Sequence, residues 1–222
     1  MRKYLFLLGV LSCGLSAGLV RADGAAAVNL LPNPGFETWV AATQQANWPA
    51  VPDGMLQDYN PTVSAYEQDH DKNFAVQGTI AKDTTIKHGG EAALRLENGL
   101  PTDITDVNSK LFAVEPSTIY KLTVWMRGEK IVANPQDGAG AFLWYHTVPT
   151  NDRWKDISWG ADETVTPRTG TFDWTQVSWR IETNDKAHFM DIVLQLRRAS
   201  GKVWYDDAEL VAVGKVTPVQ TQ

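Results

Sequence analysis

Flat ligands, metal ions and scissile bonds each demand different side chains, and this chain supplies them unevenly. Nine tryptophans in 222 residues give a large stock of flat apolar surface. Several stand beside planar polar groups on segments that alternate strictly. Trp125 and Arg127 share one side of Tyr120–Arg127, opposite Leu122 and Val124. Gln195 and Arg197 share one side of Asp191–Arg197, opposite Leu194 and Leu196. Trp144 and His146 add an indole and an imidazole from Ala141–Val148. A ring flanked by amides and guanidinium groups suits a ligand with a flat C–H face and a rim of hydroxyls. These six residues are the expected ligand-binding set, provided their side of the sheet is open. Trp174, Trp179 and Trp204 are expected to pack inward, whereas Trp39, Trp48, Trp154 and Trp159 fall in loop-like stretches and could only rim such a site.

Bond-breaking chemistry is less well supplied. Glycoside hydrolysis needs two carboxylates about 5–10 Å apart. With 26 Asp and Glu, some pair meets that condition by abundance alone. The densest acid clusters, Asp69-His70-Asp71 and Asp162-Glu163, read as solvated loop charge. His70, His88, His146 and His188 show no paired ligand spacing, and neither a GxSxG elbow nor a Gly-rich phosphate loop occurs. The single cysteine, Cys13, leaves no disulfide to form within the chain. No catalytic residue is therefore expected, and a polysaccharide-cleaving enzyme stands as an alternative. A net charge of −6 disfavours nucleic acid and anionic membrane surfaces as partners and says little about neutral sugars.

The elements that must position these residues begin after an export signal. Arg2 and Lys3 precede an apolar run from Tyr4 to Val20, and Val20-Arg21-Ala22 ends it before Asp23. Glycines at 9, 14 and 18 interrupt the run, which suits a cleaved signal over a stable span. Secretion to the periplasm or the exterior follows. A rival reading takes Val10-Leu11-Ser12-Cys13 as a lipobox, anchoring the chain through Cys13. The expected organisation is a signal at 1–22, a leader at 23–28, one β-sandwich at 29–212 and a polar tail at 213–222. Strands are predicted at Ala92–Leu96, Ser109–Val114, Tyr120–Arg127, Ala141–Val148, Thr175–Ile181, Asp191–Arg197 and Val203–Val211. Asn134-Pro135, Asp137-Gly138 and Ala199–Gly201 are among the turn signals between them. Many short strands with no convincing helix indicate an all-β antiparallel sandwich or jelly roll. Residues 40–75 and 149–172 lack periodicity and read as insertions.

Five segments carry a resemblance. Residues 29–37 read NLLPNPGFE, and Gly89-Gly90 precedes Ala93–Leu96. Then come Val114–Arg127, Gly170–Val177 and Gly201–Leu210, the last reading GKVWYDDAEL. In this order they resemble carbohydrate-binding modules of the family 4/9 type, with a galactose-binding-like jelly roll. The resemblance implies a monomeric, non-catalytic protein that holds polysaccharide on a concave sheet face, in company with separate carbohydrate-active enzymes. A structural or adhesive surface protein that keeps the fold without binding sugar is the alternative.

The same resemblance implies a structural calcium where the first and last strands meet. Glu37 and Asp206 would be its carboxylate ligands, with Asp207 in place of Asp206 as the alternative. Carbonyls near Asn33 and Lys87–Gly90 would complete the shell. The residues support this on their own terms, because calcium takes six to eight hard oxygens. By strand parity Asp206 also points to a covered face, where a carboxylate needs a partner. That partner could equally be a set of turn amides, or Arg95 or Lys202.

Overall fold

The computed structural model describes residues 27–40, 51–53, 55–56, 78–147, 157–158 and 167–217. The expected signal, Cys13, Trp48, Trp154, Trp159 and the acid clusters at 69–71 and 162–163 lie outside the described residues. Those described contain eleven strands and no helix, hence none long and apolar enough to cross a membrane. The strands are β1 (Trp39–Val40), β2 (Val51–Pro52), β3 (Met55–Leu56), β4 (Thr79–Asp83), β5 (Ala93–Asn98) and β6 (Ile104–Ser109). They continue with β7 (Phe112–Ala113), β8 (Thr118–His146), β9 (Ile157–Ser158), β10 (Gly170–Glu182) and β11 (Phe189–Lys215). All pairings are antiparallel.

The two long strands organise the rest. β8 and β11 pair along almost their whole length, from Thr118↔Lys215 to His146↔Phe189. One half of this ribbon carries β10 beside β8, then β5 and β4 beside β11. The other half carries β9 beside β8, then β6 and β3 beside β11, with β7 at its end. Two leaves thus share one continuous ribbon. The predicted strands Tyr120–Arg127 and Ala141–Val148 are the ends of β8, and Asp191–Arg197 and Val203–Val211 are parts of β11. Their separating turn signals are irregularities within the strands. Register shifts fall between Arg197 and Ala199 and between Ser200 and Lys202, beside left-handed residues Lys130 (φ 52°) and Gly201 (φ 108°). Such bulges bend and twist a strand without ending its ladder. Gly201 is required there, because a Cβ would stand 2.6 Å from the Lys130 carbonyl oxygen. β11 also runs through Lys215, into the segment expected to be a tail.

Alternation along the ribbon builds a single core. Leu122, Val124, Met126, Val203 and Leu210 line it from the first leaf; Leu143, Ile192, Leu194 and Leu196 line it from the second. The two leaves are joined directly by Tyr205 of the first. Its buried hydroxyl lies 2.6 Å from the Gln195 carbonyl and 2.9 Å from that of Gly140 on the second, its one proton shared between them. Burial pushes this phenol far above its ordinary pKa, although the two carbonyl partners partly oppose that rise. Replacing Tyr205 with Phe should therefore cost about 1–2 kcal/mol, as two buried carbonyls lose a donor. A urea titration checks it, and an unchanged midpoint would mean the hydroxyl does not tie the leaves.

Candidate functional site

The six predicted ligand residues do not form one cluster; the ribbon divides them between leaves. Trp125 and Arg127 lie on the outward face of the first leaf, where Trp125 stands between Gln176 of β10 and Asp206 of β11. One face of the Trp125 indole is taken. The His88 imidazole stacks on it at 3.9 Å between centroids and 16° between planes, and Trp174 meets the same imidazole edge-on at 5.6 Å. Trp174, expected in the core, is half-buried outside it, and Trp179 is buried in the core as expected; Trp204 is buried too, but on the outward face, opposite Arg127 in the ladder, and not in the core. The Arg127 guanidinium lies 5.6 Å over the Trp204 ring, and its Nε is 3.9 Å from Asp173. The Trp204 indole N–H donates to Asp83. Burial raises the pKa of that carboxyl, but the Ile86 and Thr85 amides, the indole and Arg95 together hold it below its ordinary value.

His88 sits where it does because the loop bearing it is tied to an acidic clasp. Asp206, fully buried, accepts from the His88 amide (2.7 Å) and the Gly89 amide (3.0 Å) through Oδ2, and from the Asp207 amide (2.8 Å) through Oδ1. Desolvation raises its pKa, the three amides oppose that rise and the neighbouring Asp207 adds to it. Asp207 Oδ2 is 2.6 Å from His88 Nδ1. Both Glu37 oxygens face the Glu91 amide at 3.0 Å. The segment with Glu37 is docked on β11 by Leu30 N–H to the Leu210 carbonyl and Ala208 N–H to the Pro34 carbonyl. The ends of the fold and the 87–91 loop therefore meet around three carboxylates. Of the described salt bridges, none brings Lys or Arg to them: Arg95 pairs with Asp83 and Glu97, and Lys202 pairs with Glu97.

This arrangement bears on calcium. Among the described residues no three acidic, His or Cys side chains already converge on one point. Asp206 has spent its oxygens on amides, which is the turn-amide role weighed above. Glu37 and Asp207 are freer. A Cβ on Gly35 would lie 3.4 Å from Glu37 Oε1 and 3.8 Å from Asp207 Oδ1, so both oxygens border one small gap that only glycine leaves open. Two carboxylate oxygens, of Glu37 and Asp207, thus face this gap, with Asp206 ordering the loop beneath.

Trp144, His146, Gln195 and Arg197 share the outward face of the second leaf. Register places Trp144 opposite Asp191, Gln195 between Gly140 and Asp106, and Arg197 between Gly138 and Ile104. Asn108 lies opposite Val193 on the same face. This face is not bare. Gln195 is 3% exposed, and His146 and Asp191 are fully buried. His146 Nε2 is 3.1 Å from Asp191 Oδ1. In the tautomer that places the hydrogen on Nε2, facing this oxygen, Nδ1 is an acceptor. Two buried polar atoms here have no hydrogen-bond partner among the described residues: His146 Nδ1 and Asn108 Oδ1. Asp106, Trp144 and Asp191 make further contacts. The leaf is bordered by β3 on one edge and β9 on the other, each drawn from the segments expected to be insertions.

Sequence reasoning missed Asp106 and Asn108 because β6 carries no readable alternation. Thr105 and Ser109 turn inward with Val107, while Ile104 turns outward with the two polar residues. Its only signal was the parity of β11, to which it pairs.

No protein-family model and no curated protein matches the chain. Among solved structures it is similar to a cyclase from Fischerella sp. TAU in complex with 4-(1H-indol-3-yl)butan-2-one, at 16% identity and TM-score 0.53, covering 86% of this chain and 100% of that one. It is similar to the arabinose-bound α-L-arabinofuranosidase MgGH51 at 13% identity and TM-score 0.50, over 86% of this chain and 27% of that protein. A family 16 carbohydrate-binding module shows 19% identity and TM-score 0.41, over 63% and 88%. At such identities the likeness speaks for the fold alone. This chain is an all-β antiparallel sandwich, and its ligand has to be argued from its own residues.

Proposed function

We propose that this chain binds carbohydrate, without catalysis, on the outward face of the second leaf. The observation that carries the reading is the pair of unpartnered buried atoms, His146 Nδ1 and Asn108 Oδ1, on the face that also bears Trp144, Gln195 and Arg197. Each buried atom left without a hydrogen bond costs about 1–3 kcal/mol. Ligand hydroxyls would supply the missing donors, and Trp144 an apolar ring for a sugar's C–H face. The five ordered motifs that resemble family 4/9 modules support the same ligand class. Because Gln195 and His146 are buried, the site we propose is a covered cleft rather than an open shelf.

The rest of the reading follows from the chain's ends. Calcium, held by Glu37 and Asp207, would neutralise the acidic clasp and stiffen the fold, taking no part in sugar chemistry. The N-terminal signal would export a monomer, free or anchored through Cys13, to work beside separate carbohydrate-active enzymes. Mass spectrometry of the exported chain distinguishes a start at Asp23 from a lipidated Cys13.

A panel of soluble glycans titrated against the exported chain, with calcium and with chelator, tests the function. At least one glycan should bind saturably and shift tryptophan fluorescence. Chelator should lower the melting temperature more than it lowers affinity. Silence across neutral, amino and acidic glycans would overturn the reading.

A further inference from the structure

The outward face of the first leaf offers a second ring surface, separate from the cleft by its position on the opposite side of the sandwich. Trp125 is its inner layer, covered on one side by His88, so the groups presented outward are His88 and Trp174. His88 is held from two directions, its amide by Asp206 and its ring by Asp207. Trp174 is fixed at the start of a strand irregularity between Phe172 and Thr175, where its amide donates to Asp173 (2.8 Å). Around these rings stand planar polar groups in reach of water. Gln176 is exposed, directly across the ladder from Trp125. The Arg127 side chain is 35% exposed, and its contact with the 90%-exposed Asp173 is long at 3.9 Å, so its donors are not spent.

A structural role accounts for the inner part of this cluster: His88 and Trp125 brace the 87–91 loop. It does not account for the outer part. Core packing needs neither a half-buried Trp174 nor an exposed amide and guanidinium beside it. We propose that Trp174, with Gln176, Arg127 and Asp173, is a second carbohydrate site that stacks one pyranose ring of a glycan chain. This rests on the reading of the chain as a carbohydrate binder, but uses none of the second-leaf residues. With one site on each outward face, a single molecule would bridge two polysaccharide chains.

Calorimetry with a binding oligosaccharide, together with turbidity of the long soluble polymer, tests this. The wild type should take up two ligands per chain and cloud the polymer solution. Trp174→Ala should take up one and leave the solution clear, with the affinity of the remaining site changed less than 2-fold. Gln176→Ala, at an exposed position that folding does not need, should weaken one of the two sites roughly 3- to 10-fold. Trp144→Ala should weaken the other site roughly 30-fold, so that at working concentrations its uptake is lost from the titration. One ligand per wild-type chain, lost in Trp144→Ala and untouched in Trp174→Ala, would overturn the second site and leave the cleft standing. One ligand lost only in Trp174→Ala would overturn the cleft instead. No uptake of any glycan would overturn both.

Discussion

Asp206→Ala should lower stability by about 3 kcal/mol, the largest loss expected from any one substitution at the clasp. Three amides, of His88, Gly89 and Asp207, would lose the side-chain acceptor they share. Each such group costs about 1–3 kcal/mol when water cannot replace the bond, and relief from burying the charge returns part of that. For a domain of this size the melting temperature should fall by roughly 6–12 °C. Asp206→Asn should be nearly as harmful, since its amide nitrogen would face an N–H. The pH dependence has a definite sign in chelated protein. The Asp206 carboxyl has its pKa raised above the ordinary value of 3.8, with desolvation the leading cause. Its proton is therefore bound more tightly in the folded state, so its contribution is most favourable below 3.8 and declines as pH rises through the folded value. The gap between wild type and Asp206→Ala should accordingly widen on acidification. Asp83, with its pKa lowered, acts in the opposite sense, so the comparison must be between variants rather than on the wild type alone. Thermal melts from pH 7 to pH 4 supply the measurement, and a wild-type and variant pair melting within about 2 °C of each other would remove Asp206 from its role.

Much of the sandwich was legible because its central strands obey a period of two. Tyr120, Leu122, Val124 and Met126 are all buried in the core, and Ile192, Leu194 and Leu196 face them from the other leaf. The clasp was legible too. Glu37, Asp206 and Asp207 do gather where the chain's ends meet, although the amides of 88, 89 and 91 hold two of them in the role of acceptors. What parity could not give was the leaf. Alternation tells which side of a strand a residue takes, and β8 and β11 each serve two leaves. Trp125 and Trp144 both turn away from the core, yet they look out in opposite directions because bulges near 130 and 201 bend the ribbon between them. The signals were present as Gly138 and Gly201, but glycine also marks ordinary turns, and only the ladder across each bulge separates the two cases. The stack of His88 on Trp125 was not legible, since it depends on a contact between residues far apart in sequence.

The cleft yields a prediction in which stability and affinity move apart. Trp144→Ala should weaken glycan binding by roughly 30-fold, about 2 kcal/mol, the worth of one sugar ring stacked on an indole. Because Trp144 makes other contacts, some stability will go with it, and affinity alone would leave the cause open. Asn108→Leu closes that gap. Asn108 Oδ1 is buried without a hydrogen-bond partner, so an apolar side chain of similar volume should leave folding unharmed or improve it by up to about 1 kcal/mol. The same change removes an acceptor that a ligand hydroxyl would use, and affinity should drop roughly 10-fold, about 1.4 kcal/mol. Polar groups kept at a cost to the fold mark places where function needs them. Urea midpoints and calorimetric titrations on the two variants separate the effects. A more stable Asn108→Leu that binds as tightly as the wild type would show that this buried acceptor serves no ligand, and the cleft would lose half of the observation that carries it.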